Sequence, residues 1–159
     1  MLNNTEINLY LSKIKAAKLI DLGRCSNMFW LIFANKNYVK YSLHIQCPFR
    51  FVESSIIILS SNDIYCPSPD FSGNSDFDWD VQGNNLFDYK AKKLLKKEIF
   101  TVAECSVNAF SDLVICFENG TSLMTFCANS REDEEQWRIF SKGSGRAHLV
   151  AYPFGSVLE

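Results

Sequence analysis

Apolar and polar positions along the chain change period several times, and each change predicts an element. Residues 28–34, MFWLIFA, are continuously apolar, short and aromatic, with β-branched Ile32, which predicts a buried strand. Residues 38–46 alternate, with Val39, Tyr41, Leu43 and Ile45 on one face and His44 and Gln46 on the other. Pro48 interrupts the ladder, 49–52 resume it, and 56–59 form a further short strand. Residues 99–107 and 147–152 also read as strands. Between them, Asn119-Gly120 is flanked by two β-prone runs in residues 112–127. Both residues tolerate the positive φ of a type I′ turn, so the segment predicts a hairpin with a two-residue loop. Phe117 then faces Ser122, and Ile115 faces Met124. One face carries Leu113, Ile115, Phe117, Met124 and Phe126 and reads as core. The other carries Val114, Cys116, Thr121, Leu123 and Thr125.

Helical spacing recurs in three places. Ile7, Tyr10, Leu11 and Ile14 predict an N-terminal helix within residues 1–20, capped at Asn4-Thr5 with Glu6 in its first turn. The alternation of Lys18, Ile20, Leu22 and Arg24 equally suits an edge strand. A second helix is predicted over 86–97, capped by Asn84 or Asn85, with Phe87, Ala91, Leu94 and Leu95 as its buried stripe and lysines outside. Ser130 is placed to cap a third over 131–140, with acids in the first turn. Residues 60–85 follow no period and hold Pro67, Pro69 and many Ser, Asn and Asp residues. A structureless stretch this long inside a compact domain is usually functional or mobile. The element order predicts a single α+β domain over 1–159, with a bent, mainly antiparallel sheet of about seven strands and three helices on one face.

Composition narrows the function classes. The chain has 159 residues, is 47% hydrophobic and 21% charged, and carries a net charge of −2, so no global basic field draws it to nucleic acid or an anionic membrane. The N-terminal stretch contains Glu6, Lys13 and Lys15 and does not read as a secretory signal. No apolar run is long enough for a transmembrane helix. Six cysteines lie mostly in apolar strand patterns. On the predicted register Cys116 and Cys127 are about 13 Å apart at ~3.4 Å per residue, beyond the roughly 7 Å that a disulfide spans. Reduced thiols and a cytoplasmic protein are therefore expected.

Asp76, Asp78 and Asp80 alternate in DFDWD, but a calcium loop starting at Asp76 would need Gly and Glu where Val81 and Phe87 stand. His44 and His148 are the only histidines, and no CxxC or HxxxH accompanies them, so no metal or cofactor site is expected. The lysines of residues 90–97 read as the solvated face of an amphipathic helix. The distinctive stretch is the loop. Asp70, Asp76, Asp78 and Asp80 sit beside Phe71, Phe77 and Trp79, residue types that anchor a contact with a basic protein partner. Glu132, Asp133 and Glu134 form a second acidic segment for such a contact.

Two motifs, Leu43-His44-Ile45-Gln46-Cys47-Pro48-Phe49-Arg50 and Glu135-Gln136-Trp137-Arg138-Ile139-Phe140, together resemble a group of small bacterial proteins with the layout LHxQCPWR, EQWRxF and a later His. Phe49 stands where the pattern has Trp, and His148 matches the later His. The resemblance covers about residues 38–152. Such proteins are similar to the immunity proteins that neutralise polymorphic and contact-dependent growth-inhibition toxins. The resemblance implies a binding protein, not an enzyme, that occludes a cognate toxin domain as a monomer or weak dimer. On this reading Arg50 and Arg138 pair with buried carboxylates, Trp137 and Phe140 pack under the sheet, and Gln46 satisfies backbone. The alternative is a small enzyme using His44, Cys47, Arg50 and His148.

Overall fold

A computed structural model of the chain describes every residue except Ser144 and Arg146. The strands form two antiparallel sheets, not one. With β1 Lys18–Cys25, β2 Met28–Ala34, β3 Lys40–Ile45, β9 Trp137–Ser141, β10 Leu149–Tyr152 and β11 Gly155–Leu158, the first sheet has the order β1-β2-β3-β9-β10-β11. The second, built from β4 Phe49–Glu53, β5 Ile56–Ser60, β6 Val102–Val107, β7 Leu113–Phe117 and β8 Ser122–Thr125, has the order β5-β4-β8-β7-β6. The chain passes from the first sheet to the second at Gln46–Pro48 and returns between β8 and β9.

The inner faces share one core. Phe29 of β2 meets Phe49 of β4 edge-on at 4.9 Å, and Phe51, Phe100 and Phe117 cluster behind them. Edge-to-face aromatic pairs of this kind add about 0.5–1.5 kcal/mol beyond their buried area. Two helices close the sides of the sandwich instead of lying on one face. α1 (Asn4–Leu11) packs on β6, while Leu2 N donates to Ser156 O of β11 at 2.8 Å. α2 (Leu86–Lys97) packs on β1 and β5 and inserts Phe87, whose ring lies 4.8 Å from Phe29. Asn85 caps α2 by accepting from Asp88 N at 2.9 Å.

Four expectations change. The third helix is absent. Residues after Ser130 form a turn and then β9, in which Trp137 and Ile139 are buried while Arg138 and Phe140 face outward. That two-residue period, with aromatic and β-branched members, favours a strand over the acidic-start helix signal. The N-terminal helix ends at Leu11, a 3-10 turn follows at Ser12–Ile14, and the alternating segment is strand β1. A bulge at Ile20 lets Leu19, Leu22 and Arg24 all turn inward. The long loop contains a 3-10 turn at Ser61–Tyr65.

The hairpin register is shifted by one residue. Cys116 faces Ser122, Ile115 faces Leu123 and Phe117 N donates to Thr121 O, so the loop has three residues, Glu118, Asn119 and Gly120. Gly120 takes φ 87° at its end, the conformation a three-residue hairpin loop requires there. Asn119 drives the choice. Its Oδ1 accepts from Thr121 N at 3.0 Å, and its Nδ2 donates to Glu98 and Ile99 O outside the hairpin. A slip of one residue reverses every side chain of a strand. Leu123 and Thr125 therefore face the core, and Met124 faces outward.

Candidate functional site

The loop between the 3-10 turn and α2 is a closed structure. At its neck Ser68 N donates to Asn84 O at 2.7 Å and Leu86 N to Cys66 O at 2.8 Å, with Pro67 and Asn85 bridged between them. Phe71 and Phe77 meet edge-on at 5.7 Å inside it, and Asp78 Oδ1 accepts from Asp80 N at 2.9 Å. A loop whose ends touch and whose own side chains fill it is an Ω-loop, and such loops are frequently functional.

Arg24 holds the far side of the loop, and the alternation pattern gave no sign of it. Its side chain is 1% exposed, yet every nitrogen is used. Nε and Nη2 form a two-pronged pair with Asp88, both at 2.9 Å. Nη1 reaches Asp80 at 3.3 Å and Ser26 O, while Nη2 also donates to Trp79 O at 3.1 Å and to the carbonyls of Asp80 and Val81. Asp88 in turn accepts from Gly83 N at 2.8 Å, and Asn85 Nδ2 donates to Trp79 O at 2.8 Å. One guanidinium thus ties β1, α2 and loop residues 79–81 together, the bidentate geometry that arginine and carboxylate favour. Burial tends to lower the Arg24 pKa, but the bonds and charges of Asp88 and Asp80 outweigh it and raise the pKa above its ordinary value.

This anchorage sorts the expected contact residues. Asp70, Asp76 and Asp78 are exposed and form no ion pair among the described residues, and Phe71 and Phe77 are half-buried between them. Asp80 is exposed but committed to Arg24, and Trp79 packs on the core with its ring 5.7 Å from Tyr65. Glu132, Asp133 and Glu134 lie in the turn before β9. Asp133 pairs with Arg131 at 3.0 Å and Glu134 with the same arginine at 3.7 Å. The hydrogen bond from Arg131 holds the Asp133 carboxyl below its usual range. Arg24, Phe29, Ile45 and Trp137 lie on one row across β1, β2, β3 and β9, so the loop anchor and the acidic turn share one end of the sheet. Three strand spacings of about 4.8 Å put them roughly 14 Å apart.

The four residues of the enzyme alternative are not brought together. His44 and His148 flank Phe140 on the outer face of the first sheet, His44 edge-on at 5.0 Å and His148 stacked at 4.3 Å. Arg138 Nη1 lies 3.1 Å from His148 Nδ1 and also pairs with Glu135, the half-buried carboxylate. Burial lowers the His44 pKa, Glu135 raises it, and Arg138, Lys142 and His148 lower it further, so the ring is a weaker base than an ordinary histidine. Cys47 belongs to the core at 5% exposure. Arg50 lies on the outer face of the second sheet, its guanidinium 4.8 Å from the Phe126 ring, and among the described residues it lacks the expected carboxylate. Trp137 is fully buried and donates to Ser111 O at 2.7 Å, as expected of a fold determinant, whereas Phe140 faces outward and Gln46 is exposed.

On the lysine face of α2, Lys90 pairs with Asp63 at 3.3 Å and Lys93 lies over the Tyr89 ring. Lys92 and Lys96 border an open groove of about 500 Å³ between α2 and β1, floored by Leu22, Phe87 and Ala91. Among the described residues, no group of three or more His, Cys, Asp or Glu side chains is arranged to hold a metal ion, and no helix is long and apolar enough to cross a membrane. Comparison with family models, curated proteins and solved structures returns no match, so the function rests on this geometry alone.

Proposed function

We propose that the chain is an immunity-type binding protein that neutralises a toxin domain by occluding a basic cleft with the acidic loop. The observation that carries this reading is the pinned Ω-loop itself. Its neck and the Arg24 clamp fix the backbone, while Asp70, Asp76 and Asp78 stay exposed beside Phe71 and Phe77 with no ion pair among the described residues. A preorganised surface spends little ordering entropy on binding, and unpaired carboxylates steer association with a basic partner. The turn at Glu132–Glu134 contributes less, because Arg131 already pairs with Asp133 and Glu134. Cargo chemistry does not enter: occlusion needs no catalytic group on this chain.

The test is protection from growth arrest when the chain is co-expressed with the toxin domain encoded beside it. Asp70→Asn, Asp76→Asn and Asp78→Asn combined spare the Arg24 clamp, so the fold is kept. Loss of protection by this folded variant is the expected result. Full protection by it removes the loop as the binding surface.

A further inference from the structure

The ladder between β4 and β8 does not stop at Phe49 and Thr125. One step further, Phe126 N donates to Pro48 O at 2.8 Å. Continuing the register sets Cys47 opposite Cys127. Pro48 and Phe126 are the hydrogen-bonded pair, so Cys47 and Cys127 form the adjacent pair that exchanges no backbone bond. Their backbone donors confirm it: Cys47 N donates to Gln136 O at 3.1 Å and Cys127 N to Asp112 Oδ1 at 2.6 Å. Residues so paired have Cα atoms about 4.5 Å apart and side chains on the same face. That separation lies within the roughly 4.4–6.8 Å that a disulfide spans.

We propose that Cys47 and Cys127 form a reversible cross-strand disulfide, a modification site that ties the crossover between the two sheets to the end of β8. All six thiols are free in the structure, and no other pair among them shares such a register. Cys47, 5% exposed, borders an open cleft of about 360 Å³ with Gln46, Pro48, Ala128, Asn129 and Gln136. The Cys127 thiol is half-buried and donates to Ser111 O at 3.1 Å. The neighbouring Cys127 thiol lowers the Cys47 pKa against the effect of burial, and Cys47 together with burial raises that of Cys127. Cys47 is therefore the attacking thiol and Cys127 the resolving one.

With oxidised glutathione as the oxidant, the Cys47 thiolate attacks one glutathione sulfur and breaks its S–S bond. One glutathione leaves with the proton that Cys47 gave up, and a mixed disulfide remains on Cys47. The Cys127 sulfur then attacks the Cys47 sulfur, and the second glutathione leaves with the Cys127 proton. Two protein thiols are oxidised by two electrons, and one glutathione disulfide is reduced to two thiols.

The folded, reduced chain is incubated with oxidised glutathione, then analysed by intact mass, by thiol titration after denaturation, and by peptide mapping. The expected result is a fall from six titratable thiols to four, loss of two hydrogens of mass, a mapped Cys47–Cys127 link, a melting temperature raised by several degrees, and reversal by a dithiol. Cys127→Ser keeps a donor to Ser111 O and should stop at one glutathione on Cys47. Six remaining thiols, a link between other cysteines, or a bridged form that melts below the reduced form would each overturn the assignment. So would an unlinked glutathione adduct on the parent chain.

Discussion

Replacing Arg24 by Met keeps most of the side-chain volume and removes the guanidinium that holds the loop. Asp88, 6% exposed, then has the Gly83 backbone N as the remaining donor to its carboxylate among the described residues. The carbonyls of Ser26, Trp79, Asp80 and Val81 lose a donor at the same time, although Trp79 O keeps Asn85. Removing one partner of a buried ion pair costs about 3–5 kcal/mol. Domains of this kind unfold at about 5–15 kcal/mol, so the variant folds with a thin margin. At roughly 2–4 °C per kcal/mol for a chain of this size, the melting temperature falls by about 6–20 °C. Urea unfolding gives the stability, and hydrogen exchange locates the loss. Amides of residues 79–86 should exchange faster at native conditions than those of β2 and β3. A cycle with Asp88→Ala should show a coupling of about 1–3 kcal/mol. A loss below about 1 kcal/mol, the range of exposed ion pairs, would refute the clamp. So would a larger loss with loop exchange unchanged.

Gly23→Ala sets a methyl into the Trp30 ring, whose Cε2 would lie 2.9 Å from the new carbon, so Trp30 must move; a loss of about 1–3 kcal/mol with altered tryptophan fluorescence is expected. Trp137→Phe removes one of two donors to buried Ser111 O, which keeps the Cys127 thiol, and should cost about 0.5–1.5 kcal/mol in urea unfolding. The folded His44 holds its proton less tightly than the unfolded chain, whose midpoint is about 6.5. Below that midpoint the unfolded state binds more protons, so the contribution of His44 to stability is full above about pH 6.5 and declines as pH falls toward the depressed folded value. An NMR titration should place the His44 midpoint below that of a free histidine, and His44→Gln should flatten the acid side of the stability profile. Denatured, reduced chain should titrate with six thiols.

Legibility followed the range of the interactions. The second helix was legible to its last residue, because the Asn85 cap, the Phe87 and Ala91 stripe and the C-terminal lysines are all local signals. β2 was legible because continuous apolarity over seven residues leaves few alternatives. The hairpin was legible but its register was not: Asn119 bonds to Glu98 and Ile99, which lie about twenty residues away, and that pull lengthened the loop. Two sheets instead of one could not be read from alternation, which reports a buried face and not the strand beside it. β11 escaped because Gly155–Leu158 is short and follows Pro153. In the candidate site, the acidic loop was legible from its residues, but the division of labour within it was not. Arg24 lies more than fifty positions from the loop residues it holds, and it commits Asp80, and with Asn85 the Trp79 carbonyl, to structure. The Cys47–Cys127 neighbourhood was likewise hidden, since it depends on the pairing of β4 with β8.

The central claim is that Asp70, Asp76 and Asp78 form the surface that meets a basic partner. Calorimetric titration of a candidate toxin domain, the partner proposed above, into the parent chain and into the triple Asn variant, at low and at high salt, tests it most directly. The account predicts that the variant binds about tenfold or more weaker at low salt, and that its affinity depends less on salt than that of the parent. Equal dissociation constants with equal salt dependence for the two folded proteins would contradict it.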